Sequence, residues 1–345
     1  MNRFLFLLYP FAILYGMVME IRNFLYDKNI RKSASFDRII ISVGNLSVGG
    51  TGKSPMVEYV VRLLKNKYKV ATLSRGYKRK TKGYKSATLE DTPDLIGDEP
   101  YQFFKKFGNE IVVAVGEERA FAIPFMCAEY PEIEVIVLDD AFQHRVVNRD
   151  FSIVTTRYDK LFYKDHLLPV GTLRENPENV KRADVVVVTN SPDTLSDKEM
   201  EPIKMAISRY TEAEVFFSSV HYGVPVSLTT DNFVHEKVIA VAGIANPTSF
   251  FNYVNENWQL METVSFPDHY SYSQEDVIKL TEKLKKEEKV TLLLTEKDAV
   301  KWNTEKIQSV IQEYSVFFIP IEMNFIKNGN NFERLLEDSV KKKKA

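Results

Sequence analysis

The chain has 345 residues, enough for two domains that each bury a core of their own. Hydrophobic residues make up 44% and charged residues 27%, which excludes a largely disordered chain. The formal net charge of -1 disfavours a protein that binds nucleic acid mainly through its phosphates. The single cysteine, Cys127, excludes an intrachain disulfide and a cysteine zinc site, and its apolar surroundings are typical of a small buried side chain.

The N-terminal segment is the most apolar part of the chain. Its sixteen residues from Phe4 to Met19 would extend roughly 24 Å as a helix, short of the ~30 Å hydrocarbon core of a bilayer. No small-residue cleavage site follows, so we do not expect a signal peptide. We expect an interfacial helix that inserts an apolar face into a membrane and keeps Arg3, Arg22 and Lys28 at the headgroups. The alternative is a helix that packs on the chain's own core. Because the segment carries no catalytic motif, removal of residues 1–22 is expected to leave nucleotide binding intact.

Strand and helix patterns alternate along the rest of the chain. Continuous apolar strands between helices indicate a parallel sheet that is covered on both faces. We predict an N-terminal helix over residues 1–30, a first α/β domain over 31–155 and a second, smaller α/β domain over 156–300, with 300–345 able to return to the first domain. The predicted strands are Arg38–Asn45, Lys69–Ser74, Ile111–Val115, Ile133–Leu138, Phe151–Thr155, Asp184–Thr189, Glu214–Ser218, Lys237–Ala242 and Lys289–Thr295.

A glycine-rich loop follows the first of these strands. The stretch from Ser47 to Ser54 fits the rule for a phosphate-binding P-loop, Gly-x4-Gly-Lys-Ser/Thr, except that Ser47 stands at the first glycine position. Lys53 would reach the β- and γ-phosphates of a nucleotide, and the Ser54 hydroxyl would bind Mg²⁺. Backbone N–H groups of the loop can surround a phosphate at the positive end of the next helix. The predicted phosphate-binding residues are Gly49, Gly50, Thr51, Gly52, Lys53 and Ser54.

Further polar clusters supply candidate carboxylates. Asp139 and Asp140 end an apolar strand, where P-loop enzymes place a carboxylate for the Mg²⁺ shell. Dense polar strings occur at 97–100 (GDEP), 142–145 (FQHR) and 266–270 (FPDHY). A kinase that acts on a sugar hydroxyl needs a group that orients or accepts its proton, and a carboxylate backed by histidine can do so. Arg174 and Glu175 form another candidate ion pair.

These strings together resemble one family. VGNLSVGGTGKSP, LSRGY, GDEP, LDDAFQH, LLPVGTLRE, GIANP, FPDHY and TEKDAVK, which run from Val43 to Lys301, are similar to the motifs of the tetraacyldisaccharide 4'-kinases. The resemblance implies a P-loop NTPase-type parallel sheet sandwiched by helices, with a second smaller α/β domain that a β-ribbon hinge joins to it. It also implies transfer of the ATP γ-phosphate, with Mg²⁺, to the 4'-hydroxyl of a tetraacyldisaccharide 1-phosphate in lipid A biosynthesis. The expected place is the cytoplasmic face of the inner membrane, with no nucleic acid and no obligate protein partner.

The resemblance also implies residue roles. Asp98 would be the catalytic carboxylate, paired with His269 and assisted by Lys53. The family's aspartate pair is usually followed by glycine, and Ala141 stands there instead. A positive φ at Ala141 would cost about 1 kcal/mol and shift the following polar residues. Arg174 would bind phosphate, the implied metal ligands are Ser54, Glu99, Asp139, Asp140 and Glu175, and Asn45, Arg75, Tyr77, Arg119 and His144 would face the lipid substrate.

Two other functions stay open on the sequence alone. One is a P-loop GTPase or metallochaperone-like nucleotide switch, because TEKD at 295–298 is close to the guanine-binding Asn-Lys-x-Asp motif, with Glu where Asn belongs. The other is a membrane-surface protein with a decayed site, against which the full set of carboxylates and the P-loop lysine argue.

Overall fold

A computed structural model describes residues 5–229, 234–285 and 289–344, so Arg3 lies outside the described residues. The strands are β1 Ile39–Asn45, β2 Val70–Ser74, β3 Lys85–Ser86, β4 Val112–Val115, β5 Val135–Asp139, β6 Phe151–Arg157, β7 Val185–Thr189, β8 Glu214–Tyr222, β9 Val226–Ser227, β10 Lys237–Ala242, β11 Gln259–Ser265, β12 Val290–Thr295, β13 Val316–Ile319 and β14 Ile321–Phe325. The α-helices are α1 Tyr9–Asp27, α2 Lys53–Leu64, α3 Pro93–Ile96, α4 Asp98–Phe107, α5 Arg119–Glu129, α6 Asp197–Ile207, α7 Thr248–Asn257, α8 Gln274–Leu284, α9 Glu296–Trp302, α10 Glu305–Ile311 and α11 Gly329–Lys344. Short 3-10 turns occupy Leu5–Leu8, Gly108–Glu110, Phe162–Lys164 and Pro177–Arg182.

The larger sheet has nine strands in the order β14-β8-β7-β6-β1-β5-β2-β4-β3. Its central strands β1, β5, β6 and β7 pair in parallel and are almost entirely buried, as strands covered on both faces must be. The α2 helix buries an apolar stripe that includes Met56, Val60 and Leu64 against this sheet. The parallel pairing of Val43 with Asp139 brings the P-loop and the aspartate pair to the same sheet edge.

The domain boundary differs from the predicted one at residue 155. β7 and β8, which we assigned to the second domain, continue the first sheet, so in the described part of the chain the second sheet has the order β11-β10-β12-β13-β9. The alternation of strands and helices is the same in both sheets and therefore carries no information on which sheet a strand joins. At the C-terminus, β14 pairs antiparallel with β8, and α11 packs Phe332, Leu336 and Val340 into the core of the first half.

Two connections cross between the halves side by side. The chain leaves the first sheet after Tyr222 and returns to it at Ile321, and the Gly223 N–H donates to the Pro320 carbonyl oxygen (2.8 Å). Tyr222 and Ile321 are also paired in the antiparallel register of β8 and β14. We call residues 222–226 and 319–321 the crossover ribbon. It corresponds in position to the hinge that the family resemblance implies.

The α1 helix is amphipathic in its contacts. Ala12, Gly16 and Asn23 are buried against the first half, and a Cβ on Gly16 would lie 2.7 Å from Leu167 Cδ1, so glycine permits this close approach. Its other face exposes large apolar side chains, among them Phe11, Ile13, Leu14, Met17, Val18, Ile21 and Phe24. No helix in the described residues is both long and apolar enough to cross a membrane. One face of the helix therefore packs on the protein, and the other face is uncovered.

Candidate active site

A cleft of about 1190 Å³ opens between the two halves, where the parallel strands of the first sheet end. Loops that follow the strands of a parallel sheet meet at this edge, so segments distant in the sequence come together here. Most predicted site residues line the cleft: Gly49, Gly50, Thr51, Gly52, Lys53, Ser54, Arg75, Tyr77, Glu99, Arg119, Asp139, Asp140, His144, Arg174 and His269.

Side chains behind the P-loop hold its backbone in place. Asn45 Nδ2 donates to Thr51 Oγ1 (2.7 Å), and Thr189 Oγ1 donates to the Thr51 carbonyl oxygen (3.0 Å). Gly52 has a φ of 75°, and a Cβ there would lie 3.0 Å from Thr189, so a side chain at this position would be strained and crowded. Ser47 does not adopt a positive φ, which explains why serine can replace the usual first glycine.

The two aspartates after β5 have different environments. Asp139 is buried, and burial, followed by the charges of Glu99 and Asp140, raises its pKa to about 6. Burial would also raise the pKa of Asp140, but Lys53 and Arg174 hold that pKa below its ordinary value. Arg174 Nη1 lies 2.8 Å and 3.0 Å from the two carboxylate oxygens of Asp140, and Lys53 Nζ lies 3.7 Å from one of them. Asp140 therefore stays ionised between the cationic side chains of Lys53 and Arg174, whereas Asp139 can still accept a further ligand.

The residues at this edge fit a magnesium ion. Asp139 Oδ1 is buried and has no hydrogen-bond donor among the described residues, and Glu99 and Ser54 line the same cleft. No group of three or more His, Cys, Asp or Glu side chains within the described ranges is arranged to hold a metal alone. Mg²⁺ is usually bound by one or two carboxylates together with phosphates and water, so a small donor set suits it.

A histidine from the second half contacts a carboxylate of the first. His269, which follows β11, has its Nδ1 3.2 Å from Asp98 Oδ2 at the start of α4, a distance at which the imidazole N–H donates to the carboxylate. Burial alone would raise the pKa of Asp98, but this hydrogen bond and the charge of Lys301 keep it below its ordinary value. The rings of Tyr77 and His269 pack edge-on, with their centroids 5.3 Å apart. The structure thus brings together the two residues that the sequence paired across 171 positions.

Comparisons with known proteins bear on this arrangement. The family model described as Tetraacyldisaccharide-1-P 4'-kinase matches residues 4–341. A tetraacyldisaccharide 4'-kinase of Flavobacterium johnsoniae is 41% identical over 339 residues, which cover 96% of each chain. Another from Porphyromonas gingivalis is 39% identical over 329 residues, 92% of each chain. This chain belongs to the tetraacyldisaccharide 4'-kinase family.

A solved structure of the 4'-kinase family has the same fold. The crystal structure of LpxK from Aquifex aeolicus in complex with ATP matches with a TM-score of 0.76 and 31% identity, and covers 98% of this chain and 99% of that one. The predicted family is therefore confirmed. So is the predicted fold class, a parallel P-loop-type sheet between helices with a second, smaller α/β domain.

Two residues implied by the 4'-kinase resemblance lie behind the cleft instead of in it. Asn45 is fully buried beneath the P-loop, so it supports that loop and does not face a lipid. Glu175 is also fully buried, and its carboxylate accepts from Arg182 (2.6 Å), Asn23 (2.9 Å) and Gln143 (2.9 Å). A carboxylate occupied in this way is not a metal ligand. Motif strings give residue order but not the direction of each side chain, which is why both assignments were wrong.

The remaining substrate candidates form a cationic end of the cleft beside α1. Arg75, Tyr77 and His144 line it together with Tyr15, Met19 and Arg22 of α1. Burial and the charges of Arg119 and Arg22 lower the pKa of His144 to about 4, so this imidazole is neutral at pH 7. Arg119 is only 2% exposed and donates to the Asp139 carbonyl oxygen (2.9 Å), so it also supports the end of β5.

The concern about Ala141 is resolved by the backbone. The positive φ of this turn, 46°, belongs to Asp140, and Ala141 does not share it. Ala141 is fully buried in an apolar cluster with Leu138 and Val147, where its methyl group is accommodated. The condition for strain at Ala141 is therefore not met, and the left-handed residue of the turn that precedes Gln143 and His144 is Asp140.

Two lysines of α9 escaped the sequence analysis of the 4'-kinase motifs. Lys297 Nζ lies 3.4 Å from Glu99, 3.1 Å from Asp268 and 3.2 Å from His269 Nε2. Lys301 Nζ lies 3.7 Å from Asp98 Oδ2. Lys297 and Lys301 are four residues apart on α9, so they lie on the same face of this helix. Their spacing is visible in the string TEKDAVK.

The same motif argues against guanine recognition. Asp298 is fully buried, and its Oδ2 accepts from the Gly243 N–H (2.7 Å) and from Thr295 Oγ1 (2.6 Å). Its carboxylate therefore fixes the start of α9 to the GIANP turn. A side chain used in this way cannot also bind a base, so the nucleotide-switch alternative loses its supporting motif.

Proposed function

We propose that this protein is an ATP-dependent kinase that phosphorylates the 4'-hydroxyl of a tetraacyldisaccharide 1-phosphate, forming the bis-phosphorylated lipid A precursor. The contact of Asp98 with His269, whose ring lines the same cleft as the P-loop, carries the proposal. A nucleotide switch needs the phosphate end alone, whereas a kinase also needs a group that handles the proton of the acceptor hydroxyl.

The two ends of the cleft would bind different substrates. The backbone of the P-loop and Lys53 would bind the ATP phosphates, and Arg174 would add positive charge beside Asp140. Asp139, Glu99 and the Ser54 hydroxyl would hold Mg²⁺, which supplies charge neutralisation of the transferring phosphoryl group. The N–H groups and cations are already oriented before the reaction, which is how enzymes stabilise charge that develops in the transition state.

The acceptor hydroxyl would lie beside Asp98. Its low pKa keeps the Asp98 carboxylate ionised, so it can accept a hydrogen bond from the hydroxyl and orient the oxygen toward the γ-phosphate. His269 would hold that carboxylate in position from the second half. The cationic end of the cleft, where Arg22, Arg75 and Arg119 lie, suits the anionic headgroup of the acceptor.

The direct test uses purified protein, ATP labelled at the γ-phosphate and tetraacyldisaccharide 1-phosphate. We expect labelled bis-phosphorylated product, and none with an acceptor whose 4'-hydroxyl is already phosphorylated. The Asp98→Asn variant should still bind ATP but transfer phosphate much more slowly. Hydrolysis of ATP or GTP at equal rates with and without the acceptor would contradict the proposal and favour a switch.

We also propose that the exposed face of α1 binds the cytoplasmic surface of the inner membrane. A contiguous apolar helix face beside the cationic end of the cleft would place the cleft at the depth where a lipid headgroup is found. The cytoplasmic side follows from the proposed use of ATP.

The membrane proposal has a matched test. Leu14→Glu puts a charge on the exposed face, and Met205→Glu puts the same charge on α6; the two residues are similarly exposed, at 57% and 61%. With phosphatidylethanolamine–phosphatidylglycerol vesicles, Leu14→Glu should reduce co-sedimentation, and Met205→Glu should not. ATP affinity should be unchanged in both. Equal co-sedimentation of the two variants would rule out this face as the contact.

A further inference from the structure

Three helices that begin at or near the cleft contact one lysine. α2 begins at Lys53, α4 begins at Asp98, and α9 begins at Glu296. Lys106, in the last turn of α4, has its Nζ 2.7 Å from Glu58 Oε2 on α2 and 2.9 Å from Glu296 Oε1 on α9. Because α2 and α4 belong to the first half and α9 to the second, this ammonium connects the halves.

The same lysine holds the crossover ribbon. Its Nζ donates to the Ile321 carbonyl oxygen (3.3 Å), and Glu296 Oε2 accepts from the Ile321 N–H (3.2 Å). Ile321 is the residue at which the chain returns from the second sheet to the first. We call Glu58, Lys106, Glu296 and the backbone of Ile321 the junction cluster.

The carboxylates of the junction cluster are buried, so their pairing with Lys106 affects the relative position of the two halves. Glu58 is 1% exposed and Glu296 is 9% exposed, and both carboxylates face the single ammonium of Lys106. Gln102 Nε2 donates to Glu58 (2.9 Å), and Arg62 lies 3.7 Å from it at the edge of the cluster. Burial already raises the pKa of Glu58 to about 7, so without Lys106 one of the two facing carboxyl groups would have to bind a proton or regain water. Glu58 is fixed in the first half, whereas Glu296 can regain water if the second half moves away.

We propose that Lys106 is a positioning residue for closure of the cleft. It holds the second half where His269 and Lys297 meet Asp98 and Glu99, and it does not itself line the cleft. Loss of its charge would shift the protein toward an open arrangement in which the nucleotide still binds to the P-loop but the two ends of the site are apart. The inference rests on the proposed kinase function only where activity is the readout.

The activity test compares two neighbouring lysines of α4. Lys106→Met should lower kcat on the order of 5–150-fold, the usual size of a conformational coupling, with ATP affinity unchanged. Lys105→Met is the control, because Lys105 is exposed and contacts only the Tyr101 ring among the described interactions; its kcat should equal that of the wild type. The double variant Lys106→Met/Glu296→Gln should recover part of the loss, because the unpaired carboxylate charge is removed.

A distance measurement tests the relative position of the two halves independently of catalysis. Spin labels at Leu89→Cys and Met261→Cys, both exposed and in opposite halves, would be placed in a Cys127→Ala background. With a non-hydrolysable ATP analogue we expect one narrow distance distribution, and in Lys106→Met a shift to longer, broader distances. If Lys106→Met does not fold, Glu296→Gln alone should give a smaller shift in the same direction. A distribution identical to that of the wild type would overturn the proposal whatever the kcat, whereas failure of the wild type to phosphorylate the lipid would overturn only the proposed function.

Discussion

The hydrogen bond between His269 and Asp98 crosses the cleft, so its removal should affect the transfer step more than nucleotide binding. The two atoms, Nδ1 and Oδ2, are 3.2 Å apart, and the acceptor is ionised. A hydrogen bond to a charged group is worth about 1.5–3 kcal/mol, which corresponds to a roughly 10–150-fold lower kcat for His269→Ala. Lys301, 3.7 Å from the same oxygen, would still hold Asp98 ionised.

Asp98→Ala removes the carboxylate itself and should lower kcat by about 10²–10⁴-fold, the range for acid–base groups. The double variant should be no slower than Asp98→Ala, because His269 acts through that carboxylate. The assay is kcat at saturating ATP and lipid, with ATP affinity measured separately by calorimetry. His221→Ala, an exposed histidine on β8, is the matched control and should leave kcat unchanged.

Two results would refute this reasoning. Fully additive losses in the double variant would mean that the two residues act in separate steps. A His269→Ala enzyme with normal kcat but weakened ATP binding would mean that the histidine belongs to the nucleotide site.

The other predictions concern buried polar groups. Because the pKa of Asp139 in the folded protein, about 6, lies above its ordinary value of 3.8, the metal-free protein should lose stability as pH rises from about 4 to 6. Asp139→Asn should abolish this slope in urea denaturation and raise the free energy of unfolding at pH 7 by about 2–3 kcal/mol while eliminating kinase activity; a less stable variant would contradict this. His144, with a pKa lowered to about 4, should show imidazole NMR signals that do not titrate between about pH 5.5 and 8; a signal titrating near 6.5 would show that it is solvated. Because its pKa is lower in the folded protein than in the unfolded chain, the free energy of unfolding should decrease as pH falls below about 6.5. Asn23→Ala should lower the free energy of unfolding by about 1–3 kcal/mol, because Glu175 stays buried with one donor fewer (2.9 Å); an unchanged urea midpoint would show that the N-terminal helix is not coupled to the site.

The contacts of α1 revise the expectation for the truncated protein. Tyr15 Oη donates to the Arg174 carbonyl oxygen (2.7 Å), and Arg22 Nη2 donates to the Gln143 carbonyl oxygen (2.7 Å). Both acceptors belong to segments that hold Asp140 and Glu175. We therefore expect removal of residues 1–22 to weaken ATP binding as well as membrane association, whereas Leu14→Glu should affect only the membrane. The apolar pattern of the segment predicted a helix but not the polar contacts of its inner face.

The sequence by itself determined the chemistry of this protein. The P-loop, the aspartate pair after an apolar strand and the strings around Asp98 and His269 are local signals, because a turn, a helix start or a strand end depends on residues close together in the chain. They were sufficient to predict the family, the fold class and the P-loop and charged residues at the centre of the cleft.

Only the tertiary structure decided how those parts are assembled. It placed β7 and β8 in the first sheet and turned Asn45 and Glu175 away from the cleft. It also brought Lys297 into the cleft and placed the buried Lys301 against Asp98. Each of these outcomes depends on contacts between residues far apart in the chain. Strand pairing partners, side-chain direction and the sharing of charge between two halves are properties of the packed molecule, and a repeating βα pattern is compatible with several choices for each.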